Sequence, residues 1–480
     1  MVNFFSSVGC FKYVKLVPCA AVLFFALGCA PFLVPNPPAA EREAKESARR
    51  GGSVETIPER KVRTRDVDFG RAFEEPAAEI ITETVEDTQI VAEQLREPFT
   101  VRKRPVRVMV KRNVKEAVVN SAAQVQVRSS SGVVSFNGRM HVEASSETAA
   151  VATVGSGSKR RLNLPCTLVI NSDIHLLELD KESYRGALII TSENGKTLSF
   201  INVLDVEDYL RGVVPREIGA LREPDIEAVK AQAVAARTYT YKKMAARSAN
   251  LFDLVSTVAD QVYGGANAEH SVSDIAIVQT KDLIMTFNNN IVGAFYHSTC
   301  GGKTANIEDV WGGESFAYLR SINDTDQAGN IYCRESRVFT WEESWSGAQL
   351  GKILARFSSE GNLTSPFRGT LRDVEIRERF SCGRVKSCAF VSSGGTFIAG
   401  GDRIRFLVRR NAGAFPILRS SNFEVEKASG DKVVIKGRGH GHGIGMCQTG
   451  AIARARAGQC FEQILRAYYS GVDIAAVVSK

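Results

Sequence analysis

A glutamate just after Gly212 and Pro215, among Val213, Val214 and Ile218, has the surroundings best suited to chemistry in this chain. Aliphatic neighbours disfavour a carboxylate, so Glu217 should keep its proton to higher pH and suit general-acid work. By type alone such a glutamate is more often a surface or capping residue. Asp205, Glu207 and Asp208 lie close upstream and are the carboxylates to weigh for a second role. A second constellation joins His297 and Cys300, three apart, with His440 and His442, two apart. If their strands converge, these four could hold zinc. The alternatives are buried structural histidines with an oxidised cysteine, or histidines that bind a ligand directly. Gly439 to Gly445 ahead of a helix also has the look of an anion cradle, although a lone glycine-rich loop is a weak signal.

These residues need elements to hold them. Pro224 fits a first helical turn, and Glu223, Asp225 and Glu227 suit the positive end of a helix dipole. Ile226, Val229, Ala233 and Ala236 recur at helical spacing, which predicts an alanine-rich helix that a neighbour can approach closely. A second helix is expected over 273–281, and a third over 448–457. Strands 283–287 and 291–297 should form a hairpin across Asn288, Asn289 and Asn290. Upstream, β-branched clusters at 106–110, 124–127, 133–136, 168–170, 187–190 and 198–203 predict a β-rich region over 104–200. Residues 200–330 and 406–480 then carry the core, with a variable insertion at 331–405. The expected class is α+β, mixed helix and antiparallel strands around a cleft.

Lys12 and Lys15 precede an apolar run from Leu16 to Leu27, followed by Gly28 and Cys29. This predicts a lipoprotein-type signal over 1–29 with Cys29 lipidated, or an uncleaved anchor. Either reading places the mature chain outside the cytoplasm, attached to a membrane. Residues 30–103, opened by Pro31, Pro35, Pro37 and Pro38, read as a flexible tether. With 44% hydrophobic and 24% charged residues, 480 residues suffice for two or three domains. The net charge of +8 fits an anionic partner such as a cell-wall polymer or a membrane surface. Basic repeats interleaved with aromatics are lacking, which argues against nucleic acid. Cys382 and Cys388 are close enough in sequence to close a small disulfide loop.

Six motifs in series resemble the stage II sporulation protein D / LytB amidase-enhancer domain family. They are Asp208–Glu217, Ala228–Tyr239, Asp260–Gly265, Phe295–Gly302, Glu308–Gly312 and Gly439–Ala451. Ile218 stands where the family usually has Met, Cys447 where Ser is common, and Arg222-Glu-Pro224 replaces a Trp-Pro pair. The resemblance implies a peptidoglycan lytic transglycosylase, or an enhancer that recruits an amidase without catalysis. The enzymes cleave the β-1,4 bond between N-acetylmuramic acid and N-acetylglucosamine, on strands an amidase has stripped of peptide, and leave 1,6-anhydro ends. It implies Glu217 as acid and base. Expected substrate contacts are Lys230, Gln232, Arg237, Tyr239, Gln261, Tyr263, Tyr296, Ser298, His440, His442 and Gln448. Lys230 and Arg237, seven apart, share a helical face and could equally be solvated, and Tyr239 and Tyr263 could equally be core. No cofactor is required, and some members are thought to bind zinc through His and Cys, here His297 and Cys300.

Overall fold

The computed structural model describes residues 99–479 except 102, 156, 173, 364, 413–415 and 428–430. The signal-like segment, with Cys29, and nearly all of the tether lie outside the described residues. Among those described, no helix is long and apolar enough to cross a membrane.

The β-rich region folds as two sheets. One has seven strands in the order Leu254–Val255, Val106–Val114, Leu198–Leu204, Ala187–Thr191, Cys166–Ile170, Val125–Ser129, Gly132–Phe136. The other has six, in the order Glu182–Tyr184, Leu177–Leu179, Glu116–Asn120, Met140–Ser146, Ala149–Val154, Ser158–Asn163. Alternation sets the facing: Val106, Val108, Val125, Val127, Met140 and Val142 are buried in one core. All pairings are antiparallel except that of Leu254–Val255 with Val106–Val114.

Among the described residues eight α-helices follow: α1 (Val206–Glu217), α2 (Ile226–Ala246), α3 (Ser271–Gln279), α4 (Ile307–Trp311), α5 (Gly347–Arg356), α6 (Ile404–Leu407), α7 (Gln448–Arg456) and α8 (Phe461–Tyr468). Fourteen of the 21 residues of α2 are buried, because α1, α3, α7, α8 and the strand Leu283–Phe287 surround it. Its alanines permit that crowding. The architecture is α+β, as expected.

A four-stranded sheet covers α2. Phe99–Val101 runs parallel to Asp473–Ser479, which pairs antiparallel with Leu283–Phe287, followed by Asn290–Ile291. Asn288 and Asn289 take positive φ of 49° and 56°, as a tight hairpin turn needs. The expected second strand, 291–297, differs: pairing stops at Ile291, and Tyr296–His297 crosses to pair in parallel with Met446–Cys447.

The segment beyond residue 331 has its own core, from Trp341 to Ile435, so it runs past the expected limit at 405. Thr340–Ser346 pairs with Lys432–Arg438, and Leu371–Arg379, Val385–Ser392 and Gly395–Gly400 form a meander. Cys382 and Cys388 are both free thiols packed in different cores, so the predicted small loop is not closed. Lys432–Arg438 feeds directly into the glycine-rich segment, which the inserted unit grips. The Trp341 indole donates to the Gly439 carbonyl at 2.9 Å, and Arg384 donates to that of Gly441 at 3.2 Å.

Candidate active site

Asp205 caps α1 by accepting from the Glu207 N–H at 2.8 Å, and the helix ends on Glu217. Val206, Tyr209, Leu210, Val213 and Val214 anchor it in the core. Gly212 is required because the Tyr263 ring lies where a Cβ would go, 2.5 Å from its Cε2. Glu217 therefore sits at the negative end of a fixed helix dipole, half-buried. Its Oε1 accepts from the Val262 N–H at 2.7 Å. Burial raises its pKa above the usual carboxylate range, while the Val262 N–H and the Gln448 side chain pull it partly back. The result is a carboxyl held in place with a strengthened grip on its proton.

Gln448 opens α7, and its amide also donates to Gln232 Oε1 at 3.3 Å, leaving the buried Gln232 Nε2 without a partner. Gln261 is fully buried. It accepts from Tyr209 and Thr240 hydroxyls at 3.2 and 3.0 Å and donates to the Tyr296 hydroxyl at 3.0 Å. Gln261 is thus a positioning residue for Tyr296 rather than a surface donor. The charge of Glu217 raises the Tyr296 pKa, after the larger effect of burial. Tyr239 donates to Asp260 at 3.2 Å, and its ring meets Phe295 edge-on at 6.0 Å. Lys243 and Arg247 already pair with Asp260, at 3.2 and 2.7 Å. Ser298 is half-buried, and its hydroxyl lies 3.3 Å from that of Thr299.

The histidines form a separate group. His297 Nδ1 is 3.2 Å from the Ile444 carbonyl, so it donates there and Nε2 is left as a buried acceptor without a partner. His442 Nδ1 accepts from the Ile444 N–H at 3.0 Å, which puts its proton on Nε2. Their rings lie 5.4 Å apart. Burial, reinforced for His440 by Arg405, Arg419 and Arg410, pushes His440 and His442 down to about 4. Burial and the neighbouring His442 hold His297 well below the usual range. All three are neutral near pH 7 and act as hydrogen-bonding groups.

Several expectations are corrected. Arg237 is fully buried and forks onto Glu207 at 2.8 and 2.6 Å, so it is a core ion pair rather than a substrate contact. Tyr263 is buried between Tyr184 and Tyr209 and donates to Asn202 at 2.8 Å, which makes it core. Lys230 pairs with Glu227 at 2.6 Å. The four-residue His and Cys zinc site does not assemble, because Cys300 turns toward Cys333, Cys447 and Asp324. Asp205 and Glu207 open α1, ten or more residues before Glu217, hence about 15 Å away at 1.5 Å per residue. Asp208 is scarcely nearer. One residue escaped the sequence reading. Trp311, 48% exposed, meets Phe295 edge-on at 4.8 Å and lies 5.1 Å from the His442 ring. It stands in the Glu308–Gly312 motif, but its exposure is not legible there.

A family model described as "Stage II sporulation protein" matches residues 194–287, and one described as "Domain of unknown function (DUF8618)" matches 329–445. Stage II sporulation protein D of Bacillus subtilis is 30% identical over 286 residues, 56% of this chain and 74% of that protein. An uncharacterized protein of Brachyspira hyodysenteriae is 30% identical over 301 residues, 61% of this chain and 72% of its own length. The amidase enhancer of B. subtilis is 29% identical over 297 residues, 55% of this chain but 40% of its own length.

Proposed function

The chain belongs to the stage II sporulation protein D family, and from that premise we propose that it is a peptidoglycan lytic transglycosylase acting on peptide-denuded strands. The observation that carries this reading is Glu217, a carboxyl with a raised pKa, held by one backbone N–H and one amide. Ordinary glycoside hydrolysis uses two carboxyl groups about 5–9.5 Å apart. The carboxylates at the start of α1 are too distant to supply the second. In the proposed reaction the Glu217 acid protonates the leaving glycosidic oxygen, and the C6 hydroxyl of the same sugar attacks C1. The Glu217 carboxylate then takes the hydroxyl proton, and the sugar closes as a 1,6-anhydride. The nucleophile is intramolecular, so proximity replaces water activation.

Gln448 lies against this acid, and Gln232, Tyr296, Ser298 and Tyr239 complete the proposed set of hydrogen-bonding partners for the sugar. Trp311 offers an exposed ring face. Cys29 as a lipid anchor would hold the enzyme outside the cytoplasm. The second reading is a non-catalytic enhancer of an amidase, which the name of one relative supports.

The test is incubation of the purified chain with intact and amidase-treated peptidoglycan, products read by mass spectrometry. Anhydro-ended glycans from denuded strands, lost in Glu217→Gln, are expected. Hydrated reducing ends would overturn the transglycosylase. Firm binding without any product would favour the enhancer.

A further inference from the structure

Three thiols and a carboxylate from four separate segments meet beneath the glycine-rich loop. Cys300 follows the short strand Tyr296–His297, and Asp324 lies in the loop after α4. Cys333 sits in the turn Tyr332–Glu335, and Cys447 caps α7. All four are fully buried. Cys300 Sγ is 3.5 Å from Cys333 Sγ and 3.4 Å from Asp324 Oδ2, and one donor atom from each of the four lies within 4.8 Å of the others. Around an ion with metal–sulfur bonds of about 2.3 Å, tetrahedral geometry separates the sulfurs by about 3.8 Å, close to this spacing. A disulfide would join one pair at about 2.05 Å and leave the third sulfur and the carboxylate idle.

Backbone donors line the sulfurs. The Gly302 N–H points at Cys300 Sγ at 3.3 Å, and the Cys300 and Gly450 N–H groups point at Cys447 Sγ at 3.2 and 3.3 Å. Backbone donors aimed at sulfur are the outer contacts that a metal-bound thiolate accepts. Asp324 is held from behind. Its Oδ1 accepts from Arg454 Nε and Nη2 at 3.2 and 3.1 Å and from the Tyr468 hydroxyl at 2.9 Å, leaving Oδ2 toward the thiols. Carboxylate ligands are oriented in this way in metal centres, and the Arg454 charge offsets part of a strongly negative ligand set.

We propose that Cys300, Cys333, Cys447 and Asp324 form a closed, structural zinc site. It ties the segment after His297, the loop carrying Asp324 and the start of α7, and so fixes Gln448 beside Glu217. It shares only Cys300 with the His and Cys set expected from sequence, and it stands whether or not the chain is a lyase.

The full chain, purified without chelator, is loaded with zinc, dialysed, and assayed for metal by mass spectrometry under native and elemental conditions. One zinc per chain is expected, and cobalt loading should give thiolate-to-metal charge-transfer absorption. In competition with a chromophoric chelator, Cys333→Ser and Cys447→Ser should each weaken zinc by more than about tenfold, as should Tyr468→Phe by releasing Asp324. Cys388→Ser, in the other core, should leave it unchanged. A chain that retains no zinc while its thiols titrate as free would overturn the proposal, as would a Cys300–Cys333 disulfide in the peptide map of untreated protein. The wild-type stoichiometry and cobalt spectrum decide the matter even if a variant fails to fold.

Discussion

At the scale of the residue, Glu217 sits where its charge is unwelcome and its proton is useful. Its raised pKa means the folded state binds that proton more tightly than the unfolded chain. The stability this group contributes is present at low pH and is lost as pH rises through its folded pKa. Glu217→Gln should therefore abolish product formation yet raise stability at neutral pH, by about 1 kcal/mol, read as a higher denaturant midpoint. The rate of the wild type should fall on the alkaline side of the same pKa. Arg237 matters through its partner. Arg237→Met leaves Glu207 without its partner in the interior and should cost about 3–5 kcal/mol of folding free energy. Lys230→Ala, at a pair nearer solvent, should cost no more than about 1 kcal/mol. Sequence spacing placed both cations on one face of a helix, which is correct for α2. It could not reveal that this helix has no solvent face at Arg237, because Glu207 lies thirty residues earlier and the strand that covers it lies forty-six later. The fate of Cys300 was hidden for the same reason: Cys333 and Cys447 reach it only through tertiary folding.

At the scale of the element, α1 is a short rod whose far end carries the acid, and its lateral position is set at Gly212. Gly212→Ala would gain about 1 kcal/mol of helix propensity but press a methyl group into the Tyr263 ring and the Gly265 carbonyl, 2.5 and 2.7 Å away. Overpacking of that kind costs about 1–3 kcal/mol, so the variant should be less stable, and its turnover should fall further than its substrate binding as Glu217 shifts. Of the eight helices, α2, α3 and α7 were legible, α2 because alanine spacing and first-turn acids are local signals. So was the turn at Asn288 and Asn289. The crossing of Tyr296–His297 to Met446–Cys447 was not, since a two-residue parallel ladder spanning 150 positions leaves no periodicity. Both halves of the site are joined there.

For the whole molecule, the neutral histidines set the acid limit. His440 and His442 fall to about 4 in the fold, against an ordinary 6.5 in the unfolded chain. Between those values the unfolded state binds more protons, so stability should decline as pH falls from about 6.5 to 4, the Glu217 proton opposing only part of it. Chemical denaturation across that interval, repeated with His442→Gln, should show a shallower decline in the variant. The inserted unit belongs to the same argument, since Trp341 and Arg384 hold the carbonyls on either side of His440. Its two tryptophans and its separate core were not foreseen as part of the site, because a segment rich in Gly and Ser reads as a decoration.

The strand Asp473–Ser479 lies between Phe99–Val101 and Leu283–Phe287, so the earliest and the latest described strands are neighbours in one sheet. A ribosome delivers residue 99 long before residue 473. Through most of synthesis Phe99–Val101 waits for its partner, and the edge of Leu283–Phe287 stays open. A chain terminated just short of Asp473 would carry every residue of the candidate site and still lack the ladder that closes over α2. Ribosome-released fragments of that length should be captured by proteases, whereas the complete chain resists them.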